Sequence, residues 1–137
     1  MRWETCFDEH IVHTQVAEAD QISKLIEQSK NTFHTARKID FTRRTARSKA
    51  LLAYDSVREA LEALAAQNGY EIHNHECYKA FLREVVGAAS AATTFDELRQ
   101  RRNKLEYDAA SITVDDARSY VNQVEQLRND VLFFIDD

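Results

Sequence analysis

The sequence predicts an all-α protein, an up-and-down bundle of four to five antiparallel helices. Three observations carry this reading. The chain of 137 residues has two glycines and no proline, too few for the tight turns of a β-sandwich or a parallel α/β fold. Apolar residues recur at steps of three and four over long stretches, the period of a helix with one buried face. The connectors between these stretches are short and polar, so consecutive helices should lie antiparallel. The length suits one domain, read here as an irregular arm over 1–15 and a helical bundle over 16–137.

The arm shows no sustained period. A first helix is predicted over 16–36 from Val16, Ala19, Ile22, Leu25, Ile26, Ser29 and Phe33. A longer one follows over 41–67, with Ala50, Tyr54, Val57, Leu61 and Leu64 as its stripe. Asp40 is its expected N-cap, and Asn68-Gly69 its stop in left-handed geometry. Residues 70–75 read as a polar loop in which His73 and His75 cap a third helix over 76–90, whose apolar face is Tyr78, Phe81, Leu82, Val85, Val86 and Ala89. The small-residue run from Gly87 to Ala92 either ends this helix or packs it closely on a neighbour. A fourth helix is expected to start in the capping box Thr94-Phe95-Asp96-Glu97 and to reach Tyr107. After the spacer 108–112, Thr113 caps a fifth helix with acids in its first turn. Its seam of Ala117, Tyr120, Val121, Val124, Leu127, Val131, Phe134 and Ile135 is long enough to face both its own bundle and a second copy.

Charge is uneven along the chain. The net charge is −5, yet residues 37–49 hold Arg37, Lys38, Arg43, Arg44, Arg47 and Lys49 against Asp40 alone. Residues 99–104 add Arg99, Arg101, Arg102 and Lys104 with no acid. A basic stripe on an acidic body suits a polyanionic partner. No apolar run reaches the ~18 residues of a membrane span, and the first ten residues lack the apolar core of a signal peptide. Cys6 and Cys77 do not form a disulfide framework, and a reduced, cytoplasmic setting is expected.

Several chemistries are excluded. His73, His75, Glu76 and Cys77 cluster, but without the paired Cys or His spacing of a zinc site, so no metal is expected. Neither a glycine-rich phosphate loop nor a Gly-x-Ser-x-Gly elbow occurs, and no cofactor is expected. What remains is Arg99-Gln100-Arg101-Arg102-Asn103-Lys104-Leu105-Glu106-Tyr107. Arginine forks match phosphate oxygens, and an amide and a phenol supply neutral donors beside them. The structural alternative pairs Arg102 with Glu106 and buries the Tyr107 ring.

The chain from about Ala17 to Phe134 resembles the HEPN superfamily. The likeness lies in Arg102-Asn103 on the penultimate helix, the short spacer, the last amphipathic helix, the Ala50, Ala53 and Tyr54 helix, and the Gly69 to His75 loop. The family motif is an Arg followed four to six residues on by His; here Tyr107 holds the closing position. The resemblance implies a homodimeric, metal-independent endoribonuclease of a toxin–antitoxin or defence system. Arg102, Asn103 and Tyr107 would be at its centre, and Arg99, Arg101, Lys104, Arg43, Arg44 and Arg47 would bind the RNA. It equally admits a catalytically silent member that binds a protein partner such as a nucleotidyltransferase antitoxin. Unperturbed Tyr titrates near ~10 and His near ~6.5, so Tyr107 is the poorer base at neutral pH.

Overall fold

The computed structural model describes residues 1–107 and 111–136, and these form a helical bundle with one small antiparallel strand pair. In chain order the elements are α1 (Trp3–Asp8), β1 (Val12–Thr14), α2 (Ala19–Lys38), α3 (Ala46–Gln67), β2 (Tyr70–Ile72), α4 (His75–Ala80) with a π-helical extension over Phe81–Val86, α5 (Ala89–Tyr107) and α6 (Val114–Asp136). Among the described residues no helix is long and apolar enough to cross a membrane.

The alanine-rich α3 is the central helix. Ala50, Ala53, Tyr54, Val57, Ala60, Leu61 and Leu64 are all buried, because small side chains on several faces let neighbouring helices approach closely. Cross-helix contacts fix the directions. Ser29 of α2 donates to the Ser56 carbonyl of α3 at 2.6 Å, while the Lys49 ammonium reaches back to the Ile39 carbonyl at the far end of α2. Tyr120 of α6 donates to the Leu98 carbonyl of α5 at 2.9 Å, and Arg101 to Gln123 at 2.9 Å. The first two pairings make α2 and α3 antiparallel, and the other two hold α6 against the middle of α5.

The arm is ordered, which corrects the reading of 1–15 as irregular. Trp3, Phe7, Tyr70 and Phe81 form an aromatic cluster with ring centroids 5.1–6.3 Å apart. It seats α1 against β2 and the end of α4. Val12 pairs with Ile72 and Thr14 with Tyr70, so part of the predicted polar loop is a strand. Cys6 and Cys77, read from the sequence as reduced, are instead joined in a disulfide with Cα atoms 6.1 Å apart, tying α1 to α4.

Helix boundaries differ from expectation at four places. Val16 is 99% exposed, and α2 starts only at Ala19. Thr45, not Asp40, is the N-cap of α3, its hydroxyl donating to the Asp40 carbonyl. Gly87 (φ +78°) ends the third helix, with the Ala88 N–H closing onto the Leu82 carbonyl at 2.8 Å. A new helix therefore begins at Ala89, and Thr94 lies inside it rather than at a cap. The stops at Gly69 (φ +88°) and the Thr113 cap, whose hydroxyl accepts from the Asp116 N–H at 3.1 Å, are as predicted. The α6 seam is consumed by its own bundle: Ala117, Tyr120, Val124, Leu127 and Val131 are buried, and the exposed apolar side chain is Phe133. Most of the spacer after Tyr107 lies outside the described residues.

Candidate functional site

The middle of α5 packs across α3 and presents Arg99 and Arg102 on one side. Arg102 lies with its guanidinium carbon 5.5 Å from the centre of the Tyr54 ring and 5.7 Å from that of Tyr107. Both distances fall within cation–π range. Tyr54 is fully buried and Tyr107 is 72% exposed, so Arg102 spans from the core to solvent between two rings. Its side-chain hydrogen bond goes to Asn103 Oδ1, at 3.4 Å. Among the described residues no carboxylate, Glu106 included, comes within ion-pair distance of Arg102.

Tyr107 is thus neither a core ring nor a partner-free surface residue, and the structural alternative for this segment does not hold. Asn103 is half-buried beside Arg102. Arg99 is placed on the same side but committed. Its Nε and Nη2 both donate to Asp96 Oδ1, at 3.2 and 2.8 Å, while Lys79 of α4 donates to Oδ2 at 3.1 Å. Asp96 is held below the usual carboxylate range: burial opposes ionisation, and the Arg99 and Lys79 hydrogen bonds outweigh it.

A histidine completes the group. His75, the first residue of α4, is positioned by Asn74, whose side chain caps the helix by accepting the Glu76 N–H at 2.6 Å. Its Nδ1 lies 2.7 Å from Tyr54 Oη, with the two rings 28° apart in plane. Burial, then the guanidinium groups of Arg102, Arg58 and Arg99, depress its pKa to about 4. Burial likewise pushes the Tyr54 phenol up despite those same cations. Both partners are therefore neutral near pH 7. Sequence reasoning missed Tyr54, Arg58 and His75 as site residues. The one available signal was Tyr54 and Arg58 sharing a face of α3 four residues apart.

The other predicted cations are distributed around this centre. Arg101 turns away to α6, with its guanidinium carbon 4.9 Å from the Tyr120 ring centre. Lys104 is exposed on the rim of a small hollow floored by Leu105, Ile112 and Tyr120. Arg47 donates to the Leu105 carbonyl at 3.0 Å, which brings the start of α3 to the end of α5. Arg43 and Arg44 are exposed just before α3. Arg118 of α6 joins the same end, 4.5 Å from the Phe41 ring centre. Lys49 does not reach solvent. It is 4% exposed over the same ring, and its pKa is lowered chiefly by burial.

Cations therefore gather at one end of the bundle, among the acids Asp40, Glu106 and Asp116, with Arg102 at its inner edge. Among the described residues no group of three His, Cys, Asp or Glu side chains is placed to hold a metal ion. Fold and site together define a mostly helical bundle carrying a half-buried arginine between two aromatic rings. Comparison with protein-family models, curated proteins and solved structures found no match.

Proposed function

We propose that this chain is an HEPN-like RNA-binding protein whose phosphate-gripping residue is Arg102, acting as a metal-independent endoribonuclease in a toxin–antitoxin or defence setting. The observation that carries the reading is the environment of Arg102. A half-buried guanidinium held between two aromatic rings, with an amide beside it, suits an incoming phosphate. Tyr107 adds an exposed ring on which a base can stack. The cations Arg43, Arg44, Arg47, Lys104 and Arg118 then lie where a strand leaving Arg102 would run.

In this reading the protein works in the cytoplasm, where the Cys6–Cys77 bond is shielded by the complete burial of both residues. It also works as a homodimer, using a surface outside the buried α6 seam, such as that around Phe133. Light scattering at micromolar concentration should return twice the 15.8 kDa chain mass; a strict monomer over a wide range removes the dimer from the proposal.

The decisive test is binding of a single-stranded RNA oligonucleotide by fluorescence anisotropy across a salt series. Arg102→Met should weaken binding and lower the salt slope by roughly one unit, the share of one phosphate contact. Affinity and slope unchanged by this substitution refute the assignment of Arg102.

A further inference from the structure

We propose that His75 is the proton acceptor of this site, taking the 2′-hydroxyl proton of an RNA strand whose phosphate Arg102 holds. The inference rests on the RNA-binding reading above and adds to it a residue from a different helix. Tyr107, the residue at the motif's closing position, presents an exposed ring beside Arg102. The chain places another titratable group beside Arg102 through the fold rather than through the motif.

The geometry has three parts. His75 and Arg102 both lie against the Tyr54 ring, one from α4 and one from α5. The 2.7 Å contact between His75 Nδ1 and Tyr54 Oη fixes the imidazole from the core side. Either group can donate in this contact; in the reactive tautomer Nδ1–H donates to the phenol oxygen, which leaves the Nε2 lone pair free to accept a proton. This is how a buried group orients a catalytic imidazole through the nitrogen that does not react.

The step balances without a metal or redox partner. The 2′-O–H bond breaks and its proton passes to His75 Nε2. The 2′-oxygen forms a bond to phosphorus while the bond from phosphorus to the 5′-oxygen breaks. The 5′-oxygen takes a proton from solvent, and the imidazolium returns its own to solvent. The products are a 2′,3′-cyclic phosphate and a 5′-hydroxyl.

The charges around His75 make its basicity depend on the substrate. From α3 it faces Tyr54 and Arg58, the latter 3.8 Å from Asp55; from α5 it faces Arg102 and Arg99, the latter paired with Asp96. Its own helix adds Glu76 and Lys79, and Lys79 is held by Asp96. In the free protein these cations oppose an imidazolium. A phosphodiester seated on Arg102 offsets that field, and the additional negative charge developing in the transition state offsets it further.

The experiment uses the full chain and two probes: a single-stranded RNA oligonucleotide, and the same strand with 2′-O-methyl groups, which binds without a nucleophile. Wild type should bind both and cleave only the first, leaving cyclic-phosphate ends. His75→Gln should bind within about twofold of wild type and cleave at least a hundredfold more slowly, the ordinary share of a general base. On wild type, NMR titration of His75 should show its pKa rising by about one unit or more when the 2′-O-methyl strand is bound. That second readout needs no variant to fold, and a histidine with a merely structural role would not move. RNA binding without cleavage, cleavage unchanged in His75→Gln, or a His75 pKa indifferent to the bound strand each overturns the role of His75 while leaving RNA binding in place. Absence of RNA binding overturns the reading on which it rests.

Discussion

Acidification should weaken this fold through His75, and the loss can be separated from every other acid effect. The imidazole is neutral in the folded protein because burial and the Arg102, Arg58 and Arg99 guanidinium groups hold its pKa at about 4. In the unfolded chain it titrates near ~6.5. The folded value lies below the unfolded one, so the associated stability is complete above pH ~6.5 and is lost as pH falls towards ~4. A difference of about 2.5 units corresponds to roughly 3.4 kcal/mol if fully expressed. His75 is only half-buried, and solvent screening reduces this by about half. By pH 4.5 the expected loss is then about 1–2 kcal/mol. For a chain of this size that lowers Tm by about 4–7 °C.

The assay is thermal unfolding by circular dichroism at pH 7.0 and 4.5, for wild type and His75→Gln. Gln cannot titrate but can still hydrogen-bond the Tyr54 phenol. Protonation of Asp96 and other paired carboxylates weakens both proteins equally and cancels in the comparison. Wild type should therefore lose about 1–2 kcal/mol more than the variant over this range. Equal losses in the two proteins would refute the argument that the cations beside His75 act on it.

Two further substitutions probe neighbouring claims. Tyr107→His replaces a 72% exposed ring, so stability should change by less than ~0.5 kcal/mol, while a titratable base beside Arg102 should raise cleavage between about pH 6 and 8; a large drop in Tm would show that the ring is structural. Glu59 is 4% exposed with one unpartnered carboxylate oxygen, and burial raises its pKa despite the Thr32 hydrogen bond. Its contribution to stability is therefore present below the unfolded carboxyl range and lost as pH rises through its folded value, so Glu59→Gln should be relatively more stable at pH 7 than at pH 4, measured by urea unfolding.

The long helices were legible because their periodicity is repeated over many residues. The α3 and α6 stripes are buried largely as their spacing predicts. What escaped was structure made by contacts remote in sequence. Helix α1 has six residues and each strand three, too short for a period to register, and they are held by Trp3, Phe7, Tyr70 and Phe81 packing together. The capping box at Thr94 misled for a physical reason: Gly87 had already ended the previous helix, and Ala89, Ala91 and Ala92 are strong helix formers that start the next one early. Asp96 and Glu97 then had no cap to complete, and Asp96 instead joins Arg99 to Lys79. The same limit applies to the site. Arg102, Asn103 and Tyr107 are adjacent on one helix and could be found by spacing. His75 meets Tyr54 across 21 residues, and only the folded chain brings that pair to Arg102.

Arg102 offers the sharpest separation of function from stability. Its neighbours Arg99 and Arg58 each have a carboxylate, Asp96 at 2.8 Å and Asp55 at 3.8 Å, whereas its own offset is aromatic. A guanidinium over a ring gains roughly 0.5–2 kcal/mol depending on desolvation, but here it also lies near two like charges and depresses His75. These terms oppose one another, and methionine retains much of the stem packing while removing the charge. Arg102→Met should therefore leave Tm within a few degrees of wild type or raise it, and should move the His75 pKa up from about 4. RNA binding should fall in the same protein. A residue kept for the fold would behave in the opposite way: its loss would cost about 2 kcal/mol or more and leave RNA affinity unchanged in the fraction that stays folded. Denaturant unfolding and an anisotropy titration on one preparation distinguish the two outcomes, because a phosphate-gripping arginine trades stability for binding and a structural one does not.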